Sequence, residues 1–305
     1  MRRASLVAWV CLFIVWVVWG STYLAIRVGV ETMPPLLMAA ARNLVAGLIM
    51  FPAAMGARRR AIRTGHQVSR WPGRAEWIGC AVVGVLLLVA NGAVGIGEKT
   101  VPSGLAALLV ATVPLWLLGF DAVLNHARLG LAPVAGLALG LVGVGFLSGL
   151  GGGSGQVSAV GVVIILAAAV MWAFGTIMAR RVTIPSSPAL ASGMELLCGG
   201  LALLVLAAAG GEFGSLHLAE VSLRSWIALA YLIVIGSIVA FSAYGIAVRS
   251  LPTATVATYA YVNPVIAVLL GTLILNERLT PAMFGGGALI VGAVVLVVRR
   301  SPPAH

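Results

Sequence analysis

Lys99-Thr100-Val101-Pro102-Ser103-Gly104-Leu105-Ala106-Ala107-Leu108-Leu109-Val110-Ala111-Thr112-Val113-Pro114-Leu115-Trp116 recurs in altered form 150 residues further on, from Arg249-Ser250-Leu251-Pro252 to Tyr259-Ala260-Tyr261-Val262-Asn263-Pro264. At that offset, without a gap, Gly95-Ile96 falls on Gly245-Ile246, Lys99 on Arg249 and Pro102 on Pro252. Pro114 then falls on Pro264, and Arg128-Leu129 on Arg278-Leu279. Each copy opens an apolar helix with one proline and carries a second one twelve residues later, near its middle. A proline inside a helix removes a backbone donor and leaves the carbonyl four residues earlier without its partner. Here those carbonyls belong to Val110 and Ala260.

Composition places the surrounding chain in lipid. Of its 305 residues, 61% are hydrophobic and 9% charged, and mean hydropathy is +1.10. Soluble domains are roughly half apolar and about a quarter charged. The apolar runs are each about 20 residues long, the length a helix needs to cross a ~30 Å hydrocarbon core. The 38 glycines sit largely inside these runs, as in closely packed membrane helices. A net charge of +11 suggests a nucleic-acid partner at first sight. Its arginines cluster in short connections between apolar runs instead, the distribution of the positive-inside rule, and this argues against nucleic acid.

Ten membrane helices are expected, at 6–26, 35–55, 77–97, 102–124, 131–150, 157–180, 188–209, 225–248, 252–275 and 281–298. The first follows Arg2-Arg3, but it is longer than the core of a signal peptide and lacks a small-residue cleavage site. The repeat extends to the first helices of each half, because Trp19…Arg27 aligns with Trp172…Arg180, and Pro35…Arg42…Gly47 with Pro188…Glu195…Gly200. The fold class is therefore all-α membrane protein, with one five-helix repeat in residues 1–150 and a second in 151–305. An odd number of spans per repeat inverts the second copy, the arrangement of transporters that bind solute near the midplane between their halves. Fourteen of the 19 Lys and Arg residues collect on the side that holds both termini, so that side is read as cytoplasmic. Glu31, Glu98, Glu212, Glu220 and Glu277 fall in the connections on the other side.

Candidate binding residues lie deep in these spans. The Pro114 and Pro264 kinks should face protein or a water-filled cavity, because a backbone acceptor exposed to lipid costs several kcal/mol. Thr255, Tyr259 and Asn263 share a face at four-residue spacing and can hydrogen-bond a solute or tie helix to helix. Trp16 is deep in the first helix, where its ring can hold an apolar or cationic solute or pack in the core. Trp116, Trp172 and Tyr244 are weighed in the same way. Intramembrane charges are functional candidates by default. Arg42 can bind a substrate carboxylate or the carbonyls of a kinked neighbour, and Glu195 can couple transport to protons or stay neutral through burial. Asn43 and Asn91 are weaker candidates.

Nothing catalytic is visible: there is no HExxH, no GxSxG and no phosphate-binding loop, and the four His lie in loops or tails. Cys11, Cys80 and Cys198 are odd in number, lie within apolar runs and show no CxxC spacing. No cofactor, metal or enzyme activity is expected. The expected partners are a small-molecule substrate, the lipid bilayer and protons. GxxxG spacings such as Gly136–Gly140 suit close packing within a monomer or between the copies of a homodimer.

Val101-Pro102-Ser103-Gly104-Leu105 with Pro114-Leu115-Trp116, and Asn263-Pro264 leading to Asn276-Glu277-Arg278-Leu279-Thr280, resemble the drug/metabolite transporter superfamily, EamA type. Trp19-Gly20-Ser21-Thr22-Tyr23 and Ala41-Arg42-Asn43-Leu44 are also similar to it, and the resemblance covers residues 6–298. It implies ten helices in two inverted repeats and an inner-membrane carrier that exports amino acids, metabolites or drugs, driven by protons or by the solute's own gradient. Two features depart from the pattern. Position 127, the repeat partner of Glu277, is Ala, and the first helix lacks the buried Glu by which small four-helix relatives couple to protons. The reading is a secondary transporter working by alternating access. The alternatives are a channel-like facilitator, which needs a continuous polar path, and a lipid-handling membrane protein, which needs clustered Asp or His near one interface.

Overall fold

A computed structural model describes residues 6–64, 71–124, 131–147, 157–251, 253–256 and 258–300. Arg2, Arg3, Ala127, Arg128 and Pro252, all used above, lie outside the described residues, as do the side chains of Arg249 and Tyr261. The described chain is helical, with no strand among its described residues. In order it forms α1 (Leu6–Gly29), α2 (Pro35–Arg63), α3 (Arg74–Glu98), α4 (Ser103–Val110), α5 (Val113–Leu124), α6 (Leu131–Leu147) and α7 (Ala159–Met178). It continues with α8 (Pro188–Ala209), the short α9 (Glu212–Ser215), α10 (Leu223–Tyr231), α11 (Ala240–Ser250), α12 (Thr253–Val256), α13 (Tyr259–Leu275) and α14 (Pro281–Arg300). A π-helical stretch, Leu232–Val239, joins α10 to α11.

Among the described residues, seven helical segments are long and apolar enough to cross a membrane: Leu6–Gly29, Pro35–Arg63, Arg74–Glu98, Ser103–Leu124, Ala159–Met178, Pro188–Ala209 and Leu223–Ala247. Val262–Leu275 and Met283–Ala293 are shorter apolar helices. Prolines begin α2, α8 and α14, where a missing N–H leaves no intrahelical bond unmade. The second helix runs past the expected Met55 to Arg63, so Arg58, Arg59, Arg60 and Arg63 occupy its last turns. Cations there complement the negative end of the helix dipole.

The two proline-containing helices are broken rather than simply bent. In the first copy the break falls at Ala111-Thr112, before Pro114, which opens α5 from its second position. Thr112 covers the end of α4 by donating its hydroxyl to the Leu109 carbonyl at 2.7 Å. In the second copy α12 ends at Val256 and α13 begins at Tyr259, while Pro264 remains inside α13. The chain therefore turns well before the proline, and Thr258 Oγ1 donates to the Thr255 carbonyl at 2.6 Å at that turn.

The most extensive interfaces join α2 to α8, α6 to α14, and α3 to both α7 and α8. The first of these is reciprocal. A methyl group on Gly47 would lie 2.9 Å from Leu197 Cγ and 3.0 Å from the Leu197 amide nitrogen. One on Gly200 would lie 2.9 Å from Leu44 Cγ and 3.0 Å from the Leu44 amide nitrogen. Gly47 and Gly200 are repeat partners, as are Leu44 and Leu197. Contacts that map onto themselves when partners are exchanged are those of a two-fold axis.

Two carboxylates of the second half cap helices of the first. The Leu36 and Leu37 amides at the start of α2 donate to Glu212 Oε1 and Oε2 at 3.2 and 2.8 Å. At the start of α4, Ser103 N and Oγ donate to Glu277 Oε1 at 2.8 and 2.9 Å, and Gly104 N donates to Glu277 Oε2 at 3.2 Å. The first amides of a helix have no internal acceptor and form its positive pole, so a carboxylate satisfies both needs. Asn276 places Glu277 there by taking a left-handed conformation (φ 54°) at the end of α13, which Asn tolerates better than most residues.

Candidate functional site

Arg42 is buried in α2, 6% exposed. Its Nε donates to Ser237 Oγ at 3.0 Å, Nη1 to Asn91 Oδ1 at 3.2 Å, and Nη2 to the Gly236 carbonyl at 3.5 Å. The π-helical stretch thus supplies both a side-chain and a backbone acceptor to the guanidinium. A helix wound five residues to the bond is uncommon and is frequently found at functional sites. Asn43, also buried, donates to the Ala39 carbonyl one turn back at 2.8 Å and serves its own helix.

Glu195, the repeat partner of Arg42, sits elsewhere. It lines a cavity of about 20 Å³, room for about one water molecule, together with Gly84, Leu88, Trp172, Ser192 and Phe241. Arg42 and Glu195 each abut a glycine of a neighbouring helix, Gly236 and Gly84 respectively. Arg42 and Glu195 therefore have different surroundings along the seam between the halves.

A third group of candidates meets between α1, α11 and α13. Trp19 is the hub: its ring lies 5.1 Å from Tyr244, 5.2 Å from Tyr259 and 5.7 Å from Phe241 between centroids. The Tyr259 and Phe241 contacts are edge-to-face, the favoured aromatic geometry. Trp16 Nε1 donates to Thr258 Oγ1 at 3.2 Å, at the break before α13. Asn263 is 7% exposed, and in the amide orientation its neighbours require it donates to the carbonyls of Trp16 and Tyr259, both at 3.1 Å. Trp16, Tyr244, Tyr259 and Asn263 are therefore brought together across the two halves, and Phe241 links their cluster to the Glu195 cavity that Trp172 also lines. Trp116 stands apart, its Nε1 donating to Thr112 Oγ1 at 3.1 Å across the α4–α5 break.

Trp19, Phe241 and Ser237 belong to this constellation although residue type alone did not single them out, while Thr258 belongs to the polar stretch around the second proline. Trp19 had one available signal, since its repeat partner is Trp172. Ser237 had none, because its role depends on the π-helical winding of its own segment. Among the described residues no group of His, Cys, Asp and Glu is arranged to hold a metal ion.

Polar and aromatic side chains kept inside a bundle of apolar spans, along the seam of two halves, define a multi-pass membrane transporter. The chain belongs to the EamA-like transporter family, which matches it twice, over residues 7–149 and 159–299. It is 39% identical over 288 residues to the Escherichia coli K12 protein named "Uncharacterized inner membrane transporter YedA", covering 94% of this chain and 89% of that one. It is 26% identical over 291 residues to a "Probable amino-acid metabolite efflux pump" of Salmonella typhimurium, covering 92% of this chain and 91% of the pump. A solved crystal structure shares the fold with a TM-score of 0.58 and 24% identity, covering 95% of each chain.

Proposed function

We propose that the protein is an inner-membrane secondary carrier that exports small organic solutes, amino acids or related metabolites, by alternating access. In this reading ten spans form two inverted five-helix repeats, 1–150 and 151–305, with both termini in the cytoplasm. α6 and α14 pack behind the halves, and the solute path follows the seam where α1, α11 and α13 meet. Trp16, Tyr244 and Tyr259 offer aromatic faces to the solute and Asn263 an amide. Arg42 attracts a carboxylate, Trp172 and Glu195 line the adjoining cavity, and Glu195 exchanges the coupling proton. Trp116, beside the α4–α5 break, contacts the solute when that break straightens. The breaks at Thr112, before Pro114, and at Thr258, about one and a half turns before Pro264, are the hinges. The carrier works as a monomer or as one half of a homodimer.

The observation that carries this reading is the reciprocal contact of Gly47 with Leu197 and of Gly200 with Leu44. A two-fold axis between halves of opposite insertion gives two states of nearly equal energy, related by exchanging the roles of the halves, and this is the requirement of alternating access. The printed name of the Salmonella relative supports amino-acid metabolites as the solute class. The test is uptake of labelled amino acids and analogues into proteoliposomes that hold the purified protein. Saturable flux, accelerated by solute on the opposite side, supports a carrier. Flux that rises linearly with solute and shows no acceleration would assign the protein to channel-like facilitators instead.

A further inference from the structure

Glu98 has no structural task that its surroundings explain. It ends α3 and is 0% exposed, and neither oxygen of its carboxyl group has a hydrogen-bond partner. Its place in the chain predicts a solvated residue in a connection, so its burial runs against expectation. Arg27 is the cation at hand, yet it directs its guanidinium to the backbone carbonyl of Glu98 and not to the carboxyl oxygens.

The charged and titratable groups whose fields reach this carboxyl come from few elements. They are Tyr23 and Arg27 of α1 and Glu277 of the turn before α14. The neighbouring Lys99 points to the exterior. α4 and α7 contain no titratable residue, and α7 closes on Gly97 with Gly161 and Ile165. Glu277 already has its donors, the amides of Ser103 and Gly104 and the Ser103 hydroxyl. A carboxylate ionised at position 98 would therefore lie in a fully buried site within the field of a second carboxylate, with no protein donor of its own, a strongly unfavourable state. A carboxyl that carries its proton avoids both costs.

We propose that Glu98 is a proton-binding site at the outer end of the seam, occupied while that end is closed and vacated to external water as it opens. On opening, the carboxyl group gives its proton to water. Arg27 then turns from the Glu98 carbonyl to the new carboxylate and holds α1 and α3 in their displaced position. Closure needs the proton back, so the outer end stays shut longer in acid. The Glu277 cap on α4 reports the state, because it ties a turn of the second half to a helix of the first across this end. The proposal rests on the alternating-access reading and on this end facing outward.

The test is hydrogen exchange of the Ser103 and Gly104 amides, followed by mass spectrometry on the full chain in nanodiscs and corrected for intrinsic exchange. In the wild type, protection should fall about tenfold from about pH 5 to about pH 8. Glu98→Gln and Glu98→Leu, both permanently neutral, should keep the acid level of protection throughout. Glu277→Ala, which removes both acceptor oxygens, should lose protection at both ends of the range, which verifies that these amides report the cap. A wild type with no pH dependence, or neutral variants that follow its pH dependence, would overturn the proposal. So would failure of both neutral variants to fold, since that would mean the closed state needs the charge. Flux is measured separately. Saturable exchange together with pH-independent protection refutes the proton site and leaves the carrier reading intact, whereas Glu98-dependent protection without any flux does the reverse.

Discussion

Arg42 Nε donates to Ser237 Oγ at 3.0 Å, joining a buried guanidinium in the first half to a π-helical stretch in the second. Asn91 and Gly236 take two more of its N–H groups. The planar fork of Arg reaches these acceptors together, and the single ammonium of Lys does not. Arg42→Lys is therefore expected to impair function nearly as much as Arg42→Ala, with proteoliposome flux reduced about tenfold or more, the loss of about 1.4 kcal/mol from a charged hydrogen bond. Ser237→Ala removes one acceptor of the set and should cost less than either. Near-wild-type flux in a well-folded Arg42→Ala protein would show that the guanidinium only braces the π-helical stretch.

The crossing of α2 and α8 predicts matched damage at two distant positions. Ala in place of Gly47 puts a methyl group 2.9 Å from Leu197 Cγ, and Ala in place of Gly200 puts one 2.9 Å from Leu44 Cγ. Backbone atoms lie nearly as close, so the helices must separate. Each variant should lose about 1–3 kcal/mol, as overpacked cores do. One separation relieves both clashes, so the double variant should lose clearly less than the sum of the two. Thermal melting in detergent reads all three. Additive losses would mean that the two contacts do not share one interface.

Helix starts were legible in this sequence because proline and apolar length mark them locally: α2, α8 and α14 begin at Pro35, Pro188 and Pro281 as expected. The duplicated pattern was legible as the 150-residue offset of the two proline-bearing stretches, and the family model matches the chain twice, over residues 7–149 and 159–299. What was not legible depends on through-space partners. Pro264 did not break its helix where the missing N–H pointed, because the turn formed earlier, at Thr258. Glu98, Glu212 and Glu277 all read as solvated outer carboxylates, yet one is buried and two cap helices of the other half. At the site, Trp16, Tyr244, Tyr259 and Asn263 were recognisable by residue type and depth. Trp19, which holds them together, is marked in sequence only by its repeat partner Trp172, and Phe241 looks like any other apolar aromatic.

Asn263 joins α13 to α1 through the Trp16 carbonyl, and a change of charge there has a signed pH dependence. Asn263→Asp keeps the shape but, when ionised, only accepts hydrogen bonds, so it faces the two carbonyls with nothing to donate. Protonation restores one donor. The variant should therefore transport poorly at neutral pH and recover partly in acid, while Asn263→Ala is impaired at every pH. Flux measured across a pH series checks this. An Asp variant whose pH profile matches that of the wild type would mean that the amide donors are dispensable.

Glu195 lines a cavity with room for about one water molecule, which suits the exchange of a proton better than the binding of a solute. Glu195→Gln preserves size and hydrogen-bonding capacity but has no proton to exchange. Its melting temperature should stay near that of the wild type, and exchange of solute for solute across the membrane should persist, since neither needs the proton to leave. Uphill transport driven by an imposed pH gradient should be lost. The comparison uses one preparation of vesicles, with exchange and gradient-driven flux measured side by side. If Glu195→Gln still concentrates solute against its gradient when pH differs across the membrane, Glu195 is not the coupling group and burial alone accounts for its place in the seam.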